Sequence, residues 1–176
     1  MKNPVRLEIK RIRHEAKLPF YANPGDAGMD VCAAEDVLIK PGQCVAVATG
    51  LILNIPQGYE IQIRPRSGLS YKTRLRIPNS PGTIDSGYKD ELKILLYNAS
   101  PEIFGIEEDY SVYDLHEKDN RAGAYQVYQG DRICQMVLAP VSQADPVDVE
   151  DFSSHDVEDR GGGFGSSGLR DKGDLS

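Results

Sequence analysis

A chain of 176 residues, 40% hydrophobic, is long enough to bury one core and too apolar to remain disordered. Its net charge of −7 argues against a general nucleic-acid binder, which needs a basic face, yet leaves room for a small anion held by a few clustered arginines. No stretch approaches the roughly 18 apolar residues of a membrane helix, and the opening Met1-Lys-Asn-Pro-Val-Arg6 lacks an apolar signal core, so a cytoplasmic protein without membrane contact is expected.

The first predicted element is a strand over residues 5–12, where Arg6-Leu-Glu-Ile-Lys-Arg-Ile12 alternates with the period of a half-buried strand. Strands follow at 37–39, 44–49, 50–55 and 59–64, separated by Lys40-Pro-Gly-Gln43 and Pro56-Gln-Gly58. Residues 67–74 are the one place for a short helix, with Ser67 as its N-cap and free amides at its start. Further strands are read at 91–97, 123–128 and 132–140. Turn signals this frequent, with no long helical period, predict an all-β sandwich or barrel with one short helix.

Residues 102–120 interrupt this pattern with an acidic, tyrosine-bearing insertion longer than a usual hairpin connection, predicting a surface excursion. The β domain is expected to span residues 1–147. The remaining 148–176 turn acidic and then glycine-rich, as in an extended C-terminal arm. Cys32, Cys44 and Cys134 form no CxxC pair, so reduced thiols are expected, not a disulfide framework or a zinc site. The Asn98-Ala-Ser100 sequon is read as accidental.

Five segments carry more glycine and polar chemistry than a β domain needs. In Asp26-Ala-Gly-Met-Asp30, Gly28 permits a close backbone approach, and the segment by itself reads as a turn with a surface carboxylate. Arg64-Pro-Arg-Ser-Gly-Leu69 delivers Arg66, Ser67 and the Gly68 amide together, the donors that phosphate oxygens require. Asn79-Ser-Pro-Gly-Thr-Ile-Asp-Ser-Gly-Tyr88 reads as a hairpin from which Asp85 projects as a candidate base, with Tyr88 as a platform for a sugar. Gly130-Asp-Arg-Ile-Cys-Gln135 opens a strand carrying Gln135 toward a phosphate or a water, and Arg132 suits an ion pair. The fifth, Arg160-Gly-Gly-Gly-Phe-Gly-Ser-Ser-Gly168, has five glycines in nine positions but carries one guanidinium, one ring and two hydroxyls. A flexible linker is its plainest reading when it stands alone.

In this order and spacing the five segments resemble the motifs of the trimeric dUTP nucleotidohydrolase (dUTPase) family, over residues 5 to 170. The resemblance implies a jelly-roll-like β domain and a homotrimer whose active sites are shared at the subunit interfaces. It implies hydrolysis of dUTP to dUMP and pyrophosphate with Mg²⁺ held mainly by the triphosphate and waters. That reaction limits uracil incorporation into DNA and supplies dUMP for dTMP synthesis.

By motif, Asp85 would activate the attacking water and Arg66, Ser67, Gly68 and Gln135 would hold phosphates. Asn79, Gly82, Thr83, Ile84 and Tyr88 would recognise deoxyuridine, and Asp30 would act behind the metal's waters. From the arm, Arg160 would reach the γ-phosphate and Phe164 would stack on uracil, with Gly165, Ser166 and Ser167 closing over the substrate. Two departures stand out: Asp90 where the family often has glycine, expected to alter a strand start, and the 102–120 insertion, a candidate protein-partner surface. The fold-related dCTP deaminases and a non-catalytic nucleotide-sensing module are the competing readings.

Overall fold

The computed structural model describes residues 4–101, 110–117 and 119–150. The chain divides into a compact unit, Met1–Ser142, and a second, Gln143–Ser176, whose described residues 143–150 are exposed and contain no helix or strand. Residues 151–176, and with them Arg160, Phe164, Gly165, Ser166 and Ser167, lie outside the described residues.

Among the described residues the compact unit is all-β but for one helix. The strands are β1 (Glu8–Arg11), β2 (Met29–Cys32), β3 (Val37–Ile39), β4 (Cys44–Ala48), β5 (Leu51–Asn54) and β6 (Tyr59–Arg64), followed by α1 (Ser67–Lys72). β7 (Leu75–Arg76), β8 (Gly82–Ile84), β9 (Lys93–Asn98), β10 (Val112–Asp114), β11 (Ala124–Val127) and β12 (Arg132–Pro140) complete the order. They form four open sheets, β1-β5, β10-β11-β3, β2-β12-β6-β8 and β4-β9-β7, in a jelly-roll-like arrangement with no closed barrel among the described residues. No helix among them is long and apolar enough to cross a membrane.

Alternation builds the core. Ile61 and Ile63 of β6, and Ile94 and Leu96 of β9, turn inward beside Val31, Leu51, Leu53, Ile133 and Met136. Each such side chain contributes about 1.5–3 kcal/mol when removed from water. Asn98 is buried with its amide donating to the carbonyls of Ile39 and Gly123, so the side chain serves the fold.

Four local expectations are corrected. Residues 26–30 are not simply a turn with a surface carboxylate: β2 starts at Met29, and Asp30 is buried within it. Ser67 does not cap α1; Arg66 does, in extended conformation, its carbonyl accepting from the Ser70 N–H. Pro65 favours an extended chain before it, and Arg66 stays extended as its side chain turns toward Asp30. Residues 79–88 do not pair with themselves as a hairpin, because β8 pairs antiparallel with β6 and lies at the edge of that sheet. Within the insertion, where 102–109 and 118 lie outside the described residues, Val112–Asp114 forms β10, parallel to β11.

Candidate active site

β12 lies between β2 and β6, with Gln135 opposite Asp30 on one side and Arg64 on the other. This register brings the first, second and fourth motifs together. Asp30 Oδ1 accepts from Arg66 Nε at 2.8 Å, while Oδ2 accepts from Arg66 Nη2 at 3.3 Å and Arg132 Nη1 at 3.0 Å. Arg66 Nη1 donates to the Arg132 carbonyl at 3.2 Å. Of its five N–H groups, Arg66 thus keeps two for a ligand. One carboxylate, 8% exposed, therefore holds two guanidinium groups in fixed positions.

Gln135 is held by the same junction. Its Nε2 donates to the Pro65 carbonyl at 2.9 Å, and its side chain lies against Gly28, where an added Cβ would stand 2.7 Å from Oε1. Ser67 and Gly68 follow, both exposed. Behind this face, burial pushes the thiols of Cys32 and Cys134 above the ordinary range, and the Asp30 charge adds to the effect.

The third motif forms a separate group. Gly82 packs between Asn79 and Ile63: a Cβ there would meet Asn79 Nδ2 at 3.2 Å, close enough to displace that amide slightly, and Ile63 Cβ at 3.4 Å. Thr83 is exposed and Ile84 half-buried along β8. Asp85 ends this strand, exposed, and its carbonyl accepts from the Tyr88 N–H at 3.1 Å. The Tyr88 hydroxyl donates to the Glu91 carbonyl at 3.0 Å. Glu91 itself escaped the sequence reading. Its carboxylate accepts from the Gly50 N–H at 2.9 Å and Arg13 Nε at 3.0 Å, fixing the chain just beyond Tyr88. Asp90 is exposed, and β9 begins only at Lys93, beyond the strand start expected at 91.

The two groups do not meet within one chain. Ile84 pairs with Ile61, so Asp85 stands level with Glu60, six residues before Arg66. At about 3.3 Å per residue the gap is about 20 Å. Among the described residues no cluster of three His, Cys, Asp or Glu side chains could hold a metal ion.

The dUTPase family model matches residues 14–112. The chain belongs to the dUTPase family. A deoxyuridine 5'-triphosphate nucleotidohydrolase of Zymomonas mobilis is 45% identical over 167 residues, 94% of this chain and 99% of that protein. One from Nautilia profundicola is 43% identical over 164 residues, covering 93% and 99%. Among solved structures, the dUTPase of Staphylococcus bacteriophage 80alpha with dUPNHPP superposes with a TM-score of 0.80 at 32% identity, covering 93% of this chain and 99% of that one. The dUTPase of phage phi11 of S. aureus, solved to visualise a species-specific insert, gives 0.76 at 31% identity, covering 85% and 99%. A mutant of that phage dUTPase, described with a structural Mg(II) ion, gives 0.76 at 30% identity, covering 85% and 100%.

Proposed function

We propose that the chain hydrolyses dUTP to dUMP and pyrophosphate in the cytoplasm, limiting uracil incorporation into DNA and supplying dUMP for dTMP synthesis. The observation that carries this reading is the junction at Asp30, which gathers two guanidinium groups where β12 brings in the Gln135 amide. Fixed donors of this kind stabilise charge developing on phosphoryl oxygens without reorganising during the reaction.

Asp85 takes the proton of a water that attacks the α-phosphorus, a contribution of about 10²–10⁴-fold. Its exposure at a strand end leaves it accessible to that water. Arg66, Ser67 and Gly68 hold the phosphates, and Gln135 adds the N–H that Pro65 does not use. The free edge of β8, with Asn79, reads the uracil edge through main-chain groups of Gly82, Thr83 and Ile84. Tyr88, tied by its hydroxyl to Glu91, stands against the sugar and excludes a ribose 2'-hydroxyl. From the arm, Arg160 reaches the γ-phosphate and Phe164 covers the base, with Gly165, Ser166 and Ser167 folding over the phosphates.

Mg²⁺ suits this donor set as a companion of the substrate. Both Asp30 oxygens already accept from guanidinium groups, so Asp30 serves the metal's water shell rather than ligating it, and the triphosphate oxygens hold the ion. When bound, Mg²⁺ supplies neutralisation of phosphate charge. The gap of about 20 Å between Asp85 and Arg66 supports a shared site, with the base from one chain and the phosphate donors from a neighbour in a homotrimer.

Pyrophosphate release from dUTP, dCTP, dTTP and UTP, with and without Mg²⁺, tests the proposal. Release from dUTP alone, dependent on Mg²⁺, is expected. Ammonia release from dCTP would identify a deaminase, and binding of dUTP without turnover would identify a sensing module.

A further inference from the structure

Tyr88 is held at both ends, and only one of its anchors is made within its own turn. Its N–H donates to the Asp85 carbonyl at 3.1 Å, closing the turn that carries both residues. The far end of the ring is fixed by the hydroxyl, which donates to the Glu91 carbonyl at 3.0 Å. Tyr88 is 39% exposed, so packing leaves its ring a choice of staggered rotamers, and the hydroxyl's bond selects one. Where the ring stands therefore depends on where the Glu91 carbonyl stands.

The Glu91 side chain sets that position. Its carboxylate is 13% exposed, whereas the neighbouring Asp90 is exposed. Oε1 accepts from the Gly50 N–H at 2.9 Å and from Arg13 Nε at 3.0 Å, and Oε2 accepts from Arg13 Nη2 at 3.4 Å. Such charge-assisted bonds are about twice as strong as neutral ones. Gly50 lies between β4 and β5 at φ +68°, and a Cβ on it would stand 2.7 Å from Ala16 Cβ and 3.0 Å from Arg13 Cβ. The stem of Arg13 thus packs on the Gly50 backbone while its guanidinium reaches Glu91.

For the fold alone this tie is redundant. The next residue, Leu92, is already joined to the same turn: its N–H donates to the Leu51 carbonyl at 2.8 Å, and its carbonyl accepts from the Thr49 hydroxyl at 2.6 Å. Thr49, Leu51 and Leu92 are all buried. What Glu91 adds is a charged anchor on the one carbonyl that takes the Tyr88 hydroxyl.

We propose that Glu91 is a positioning residue for sugar selectivity, holding the Tyr88 ring so that it cannot yield to a ribose 2'-hydroxyl. The inference rests on the reading of Tyr88 as the residue against the sugar. Rejection by close fit needs a wall that does not move, and a ring free to swing aside would admit the hydroxyl. The wall is made firm here by a carboxylate turned toward Gly50 and Arg13.

Calorimetric titration of the full chain with dUPNHPP and with its ribose counterpart reads this selectivity as a ratio of affinities, independent of turnover. Wild type is compared with Glu91→Ala, Glu91→Gln, Tyr88→Phe and, as a charge control, Asp90→Asn. Glu91→Ala is expected to lower the preference for the deoxy compound about tenfold, and Tyr88→Phe to lower it comparably. Glu91→Gln still accepts from Gly50 and should restore most of the preference, while Asp90→Asn should stay within about twofold of wild type. Both changes sever one tether, so the double variant Glu91→Ala/Tyr88→Phe should be no less selective than Tyr88→Phe alone. A carboxylate that served only the fold would lower the thermal midpoint and weaken both nucleotides in step, leaving the ratio unchanged. The proposal is overturned by that result, by a wild type that does not distinguish the two nucleotides, or by Asp90→Asn matching Glu91→Ala. It is equally overturned if Tyr88→Phe keeps the wild-type ratio, and this arm decides the matter should Glu91→Ala not fold. A chain that shows the expected pattern yet releases no pyrophosphate from dUTP would keep the positioning role and lose the proposed hydrolysis.

Discussion

The side chain of Gln135 fills the space that a Cβ on Gly28 would need, its Oε1 lying 2.7 Å from that position and its Cδ 3.3 Å. Two motifs 107 residues apart in the chain are therefore fitted to each other across β2 and β12. Gly28→Ala forces the Gln135 amide away from the Pro65 carbonyl, while the backbone has no reason to move. Loss of that one hydrogen bond costs about 1 kcal/mol. Misplacing the amide should lower kcat by about ten- to hundredfold. Thermal unfolding beside pyrophosphate release separates the two effects, and an unchanged kcat would show that the close fit has no catalytic part.

Asp30 is the keystone of the same junction. Asp30→Asn keeps the shape but removes the charge that holds both Arg66 and Arg132. The pair is partly exposed on the arginine side, at 26% and 47%, so the expected loss is about 1–3 kcal/mol, below that of a fully buried pair. Arg132→Met should cost less, because the bidentate contact from Arg66 remains. Denaturant unfolding of the two variants measures this order; equal losses would remove Asp30 as the common anchor.

Much of this was legible in the sequence and some was not, for physical reasons. Alternation marked β6, where Ile61 and Ile63 turn inward at every second residue, and the order of the five motifs exposed the family. Asp30 read as a surface carboxylate because its partners, Arg66 and Arg132, are distant in the chain and only strand pairing brings them close. The same holds for residues 79–88, read as a self-paired hairpin: their partner is β6, about twenty residues earlier in the chain, and pairing at that distance leaves no local signature. β10 has three residues and a parallel partner, too short to show a period. Glu91 had no motif signal; a carboxylate beside the Tyr88 segment gains meaning only from its bond to Gly50.

The three thiols should separate by reactivity. Cys44 is exposed, whereas Cys32 and Cys134 are buried, and burial raises the pKa of both above the ordinary 9.0. For a thiol the raised folded value means that the native state holds its proton longer. The associated stability is therefore fully present below about pH 9 and is lost as pH rises from there, when unfolded thiols ionise and folded ones do not. The slope is at most about 1.4 kcal/mol per pH unit for each thiol. Denaturant midpoints measured from pH 8 upward, at roughly half-unit steps, should fall accordingly. Alkylation should label one cysteine in the native protein and all three on unfolding; rapid native labelling of Cys134 would contradict the burial argument.

Asp85 and Arg66 stand at opposite ends of β6, and this makes subunit sharing directly testable. Asp85→Asn removes the base, and Arg66→Gln removes a phosphate donor together with its contact to Asp30, so each homogeneous protein should lose most turnover. Co-refolding the two chains at equal amounts lets a site form from the intact Asp85 of one and the intact Arg66 of the other. If each site takes these residues from two different neighbours in a cyclic assembly, about one quarter of sites are complete. Pyrophosphate release from the mixture should then approach about one quarter of the wild-type rate, well above the sum of the two variants. If instead one chain supplied both residues, every mixed assembly would contain only damaged sites and no activity would return. A concentration series should show the restored activity falling on dilution in step with the assembly measured by light scattering.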